Sequence, residues 1–89
     1  MFRVEWLREA VEELAELWIE ADSPLRQAIT EATHALDQEL QADPFRRSES
    51  REGEVRISFF NPLALLFEVD PKQKIVWILH VWSFRQRGA

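Results

Sequence analysis

The chain opens with alternation. Phe2, Val4 and Trp6 are apolar while Arg3 and Glu5 between them are charged, the period of a strand with one buried face. From Leu7 the period lengthens: Leu7, Ala10, Val11, Leu14, Leu17, Trp18 and Ala21 recur every three or four residues among strong helix formers, with no Gly or Pro. This predicts an amphipathic helix. Asp22-Ser23-Pro24 then closes one helix and opens another, with Ser23 placed to cap backbone N–H groups and Pro24 suited to a first helical turn. Leu25, Ala28, Ile29, Ala32, Leu36 and Leu40 form the stripe of the second helix, and Asp43-Pro44 ends it because a residue before proline avoids helical geometry. An antiparallel helical hairpin is the expected product.

Residues 45–53, FRRSESREG, read as a charged connection and an exposed functional loop. Beyond it, 54–60, 63–69 and 74–84 are rich in β-branched and aromatic residues, and Asn61-Pro62 and Asp70-Pro71-Lys72-Gln73 divide them at hairpin length. The expectation is a single α+β domain over 1–89 of order β-α-α-β-β-β, with the helical hairpin on one face of a mainly antiparallel sheet. Alternation assigns Val55, Ile57, Phe59, Leu63, Leu65, Phe67, Val69, Ile75, Trp77, Leu79 and Val81 to the helices. Arg56, Ser58, Phe60, Ala64, Leu66, Glu68, Val76, Ile78, His80, Trp82 and Phe84 then face the other way.

Composition narrows the function. Apolar residues make up 46% and mean hydropathy is -0.31, which suits a folded, water-soluble chain rather than a disordered one. Zero cysteines exclude disulfides and thiolate metal sites. Glu31-x-x-His34 has a di-iron helix spacing, but no second copy accompanies it. No metal or cofactor is expected. The acidic opening is unlike a secretory leader, and the uncharged apolar stretch 75–84 is half a membrane span, so a cytoplasmic location without membrane contact is expected. Net charge is -5, yet residues 1–44 hold eleven acids and three basic residues while 45–89 hold five acids and eight basic residues. Any polyanion contact therefore falls to the second half.

The phrases VEWLREAVEELAELW (4–18), LDQELQADPF (36–45) and GEVRISFFNPLALLFEVDPKQKIVWILHVWSFR (53–85), in this order of elements, resemble the RelE/ParE toxin superfamily of bacterial toxin-antitoxin and plasmid-stabilisation modules. The resemblance implies a small toxin neutralised by a cognate antitoxin. Its target would be messenger RNA cut at the ribosome, as in the mRNA interferase branch, or DNA gyrase. Arg56 matches the first basic residue of the ribonuclease branch's sheet and Arg85 the arginine after its last strand. The branch's second arginine falls near Ala64, its aromatic near Phe67 and its histidine near Ser83, and the chain has no tyrosine.

Metal-free RNA cleavage needs proton-transfer groups and cations for developing phosphate charge. Arg56 and Arg85 are the candidate cations, and Glu49, Glu54 and His80 the candidate acids and bases. A plainer role for Arg56 is an ion pair with Glu68 across the sheet. Arg46, Arg47 and Arg51 are candidate anion-binding residues, diluted by Glu49 and Glu52. Glu9, Glu13, Glu16 and Glu20 line one side of the first helix, where a basic antitoxin segment or plain solvent would relieve their repulsion. Phe60, Leu66, Ile78, Trp82 and Phe84 are the expected exposed patch, for an antitoxin helix or a second copy. Three readings stay open: a toxin acting by interaction with antitoxin and target, an active ribosome-dependent endoribonuclease, and a non-toxic interaction or dimerisation domain of the same fold.

Overall fold

The computed structural model describes residues 1–46 and 48–84, with Glu52 by its backbone alone. The order is β1 (Arg3–Trp6), α1 (Arg8–Glu20), α2 (Ser23–Ala42), β2 (Ser48–Glu52), β3 (Val55–Phe60), β4 (Leu63–Asp70) and β5 (Ile75–Ser83). The five strands form one sheet in the order β1-β5-β4-β3-β2. The β2 to β5 run is an antiparallel meander, and β1 lies parallel to β5, from Arg3 beside Ile75 to Trp6 beside Ile78. A parallel pair needs a long connection, and here the chain between β1 and β5 runs through both helices, which carry it to the far edge of the sheet, and then back through the meander.

The helix boundaries follow local chemistry. Asp22, rather than the expected Ser23, caps α2: its carboxylate accepts the Leu25 backbone N–H at 3.0 Å, with Ser23 and Pro24 already inside the helix. Arg26 closes the other side of the turn, donating from Nε to the Trp18 carbonyl (2.8 Å) and from Nη2 to that of Ile19 (3.0 Å), with its guanidinium 4.4 Å from the Trp18 ring centre. The last carbonyls of α1, orphaned by helix geometry, thereby gain donors.

Ile29, Ala32, Leu36 and Leu40 of α2 pack with Ala10 on Phe60, Leu63, Leu65, Phe67, Val69, Val76, Ile78 and Val81. This corrects the expected sheet faces. In β3 the phase is reversed: Phe60 pairs with Leu63 and Ser58 with Leu65 on the helix side, leaving Val55, Ile57 and Phe59 on the open side beside Glu68, Leu66 and Ala64. In β5 a register shift between Leu66 and Phe67 inserts Leu79, so that Val76, Ile78 and Val81 all face the helices although the spacing between the last two is odd. Phe60 (5% exposed) and Ile78 (0%) therefore belong to the core and not to an exposed patch.

A second correction concerns the connection after α2. Residues 48–52 are a strand, with Ser48 beside Ser58 and Glu49 beside Ile57. It lies at the sheet edge, so its backbone needs only one partner strand, and alternating polar side chains are tolerated there.

Candidate functional site

The open face of the sheet divides into two regions. At one end Leu66, Trp82, Val55 and Ile57 line a shallow hollow of about 450 Å³ that Arg51 borders. Phe59 (47% exposed) and Trp82 (37%) stand above the surface, and Phe84 packs edge-on to Phe59 with ring centres 5.4 Å apart. At the other end β4 turns polar. Glu68 sits between Val55 and Trp77 in register and, with Glu54, Trp77 and Lys72, borders a hollow of about 350 Å³. Asp70 at its rim is occupied by the turn, accepting the backbone N–H groups of Lys72 (3.0 Å) and Gln73 (3.1 Å). On neighbouring β1, Arg3 is paired with Glu5 at 2.9 Å.

A separate apolar groove runs along the helical layer. Trp6, Val11, Leu14, Trp18, Ile19 and Ile29 line about 680 Å³ between α1 and α2, with Asp37 at its margin. Val11 is 50% exposed, Trp18 44% and Ile19 67%, and Ala10 is the one fully buried residue of α1. Helical spacing places Glu12 and Glu16 next to Ile19 on the outer lip. Among the described residues, no cation pairs with Glu9, Glu12, Glu16 or Glu20.

The predicted site residues do not converge. Arg56 is turned to the helix side: its Nε donates to Ser48 Oγ (2.6 Å), its Nη2 to the Ser48 carbonyl (3.0 Å), and its guanidinium lies 5.1 Å from the Phe45 ring centre. Ser48 Oγ in turn donates to the Pro44 carbonyl at 2.7 Å. This chain ties β3 and β2 to the end of α2, and it replaces the expected pair with Glu68, which lies on the opposite face. His80 and the Val81 N–H meet Glu13 of α1, with Nδ1 at 3.2 Å from Oε2 and the amide donating to Oε1 at 3.1 Å. Glu49 and Arg51 lie on edge strand β2, Glu54 in the tight turn after it, and Arg46 in the turn after α2. Of the patch, Leu66, Trp82 and Phe84 are on the open side, joined by Val55, Ile57 and Phe59. Arg47 and Arg85 lie outside the described residues. The helical groove was missed, although the excess of apolar positions on α1 (Val11, Ile19) beyond its core stripe is a readable signal.

A family model for the ParE toxin of the type II toxin-antitoxin system parDE matches residues 4–88. The chain belongs to the ParE toxin family. Solved structures agree with this ParE-family fold. The chromosomal ParDE system of Pseudomonas aeruginosa superposes with a TM-score of 0.70 at 18% identity, over 96% of this chain and 98% of that one. The RelBE2 toxin-antitoxin complex of Mycobacterium tuberculosis gives 0.67 at 18% identity over 93% and 98%, and the isolated Escherichia coli RelE toxin 0.66 at 13% over 99% and 89%. No curated protein matches the ParE-family chain at a significant level.

Proposed function

We propose that this chain is a toxin held by an antitoxin whose amphipathic helix seats in the groove between α1 and α2, and that it acts on its target by protein contact through the open sheet face. Family membership supports the toxin role, and two of the structural neighbours are toxin-antitoxin assemblies. The observation that carries the mode of action is the apolar end of the open face, Phe59, Leu66 and Trp82, where a ribonuclease would present cations. Backbone-tracking nucleic-acid surfaces combine aromatics with a positive groove. Here Arg56 faces the helices, Arg51 alone among the described lining residues brings a cation to the apolar hollow, and Glu68 and Glu54 stand beside Trp77 at the other end of the face. A protein target such as gyrase fits this face better than messenger RNA. The site of action is the cytoplasm, where toxin, antitoxin and such a target meet; among the described residues no helix is long and apolar enough to cross a membrane.

Inducible expression in a bacterial host tests the proposal, with the adjacent open reading frame supplied or withheld and RNA ends mapped in the same culture. Growth arrest relieved by the neighbour, without new RNA ends, is the expected result. New RNA ends lost in Arg56→Lys would establish the endoribonuclease instead, and absence of arrest with soluble protein accumulating would leave an interaction domain without toxicity.

A further inference from the structure

The open face is asymmetric in a way that specifies what it receives. Its apolar end offers Phe59, Leu66 and Trp82; two residues along β4, Glu68 lies flanked in register by Trp77 and Val55, with Glu54 beside the same hollow. An indole face next to two carboxylates is attractive to a guanidinium or ammonium group through ring quadrupole and charge together. Among the described residues neither Glu54 nor Glu68 has a cation within ion-pair distance. Lys72 borders the hollow without pairing with them, and Arg3 on β1 is already engaged by Glu5. A phosphate backbone would meet these carboxylates unfavourably.

We propose that the corner formed by Trp77, Glu68 and Glu54 receives an arginine or lysine side chain of a protein segment whose neighbouring apolar side chains lie on Phe59, Leu66 and Trp82. This rests on the reading of the open face as a protein-docking surface and names the chemistry of its occupant. Strand rise is about 3.3 Å per residue, so an extended segment lying along β4 carries its basic residue about two to four positions from its apolar anchor. The carboxylates contribute selection of the basic segment and faster encounter, and the aromatics contribute most of the affinity.

Selection of random dodecapeptides displayed on phage, followed by titration of the winners with the full chain, tests this. The expected winners hold an Arg or Lys at that spacing from an aromatic or aliphatic pair, shift the indole N–H resonances of both Trp77 and Trp82, and bind at least tenfold more weakly to the Glu54→Gln/Glu68→Gln double variant. Circular dichroism of that variant matches wild type, since Gln preserves the shape of each side chain. Glu68→Lys turns the selection toward acidic peptides. Winners that require Trp82, by loss in Trp82→Asp, but bind the double variant undiminished overturn the basic-residue inference alone. If no winner depends on Trp82, or if a uridine 20-mer binds the wild type and is displaced by salt, the docking reading itself fails and the inference with it.

Discussion

β5 runs five residues past the end of its pairing with β1, from Ile78 to Ser83, and the backbone edge it leaves is met from α1. The Leu7 N–H takes the Ile78 carbonyl at 3.0 Å, and Glu13 takes the Val81 N–H with one oxygen while the other faces His80. An edge amide without a partner invites intermolecular pairing, so Glu13 both docks the helix and closes the edge. Its side chain is 38% exposed, which reduces the charged hydrogen bond to about 1 kcal/mol. Glu13→Ala is therefore expected to lower Tm by about 4–8 °C for a domain of this size. Glu13→Gln, which keeps an acceptor for the amide, is expected to lose about half as much. Thermal unfolding followed by circular dichroism distinguishes this from a purely solvated glutamate, for which the two variants would both match wild type. Arg56 carries the opposite lesson for function. Its bonds to Ser48 tie β2 to β3, so Arg56→Ala is expected to destabilise the fold by about 1 kcal/mol in urea titration. Growth arrest by folded protein should persist.

At the scale of elements, β3 shows where a sequence stops being legible. Val55-Arg56-Ile57-Ser58-Phe59-Phe60 has its apolar alternation on Val55, Ile57 and Phe59, yet the helices cover Ser58 and Phe60 instead. The register with Leu63 and Leu65 of β4 decides the matter, and that register is a property of the turn and the partner strand rather than of β3. In β5 a continuous apolar run conceals the inserted Leu79, so no periodicity can reveal that Ile78 and Val81 share a face. β2 escapes notice because Ser48-Glu49-Ser50 carries no apolar signal; its strand state comes from the ladder β3 offers. By contrast both helices, the turns at Asn61-Pro62 and at Asp70–Gln73, and the meander were readable, because helical stripes and turn residues act locally. The β3 phase yields a sharp contrast. Phe60→Ala removes a buried ring at a cost of about 3–5 kcal/mol, a large part of what holds a small domain folded. Phe59→Ala trims a ring already 47% exposed, at a cost of about 1 kcal/mol or less. Equal or inverted urea midpoints would contradict the observed register.

The whole molecule presents two apolar surfaces, one over the helices and one on the far side of the sheet, and they differ in what surrounds them. Glu12 and Glu16 on the lip of the groove and Asp37 at its margin give it a mainly negative border, with Arg26 at the Trp18 end engaged by the last carbonyls of α1, whereas the open face carries Arg51 at its apolar end and carboxylates at the other. A second copy of this chain would bring acid against acid at the groove, so a helix with an apolar seam and Lys or Arg flanks is the better occupant. Ile19, 67% exposed in the free chain, contributes little to folding, and its removal should be felt only on binding. With the protein of the adjacent reading frame as antitoxin, Ile19→Asp is expected to weaken the complex at least a hundredfold, as loss of a central apolar anchor does, while Tm stays within about 2 °C of wild type. Glu12→Gln/Glu16→Gln should instead slow association and flatten its dependence on salt, leaving dissociation nearly unchanged, because rim charges act at a distance that salt screens. Surface plasmon resonance at two ionic strengths separates these effects. If Trp82→Asp abolishes binding while Ile19→Asp leaves it intact, the antitoxin sits on the sheet and not on the helices. It would then compete directly with any target of the open face, whereas an antitoxin helix confined to the groove must reach around a sheet edge, or carry a second segment, to block that face.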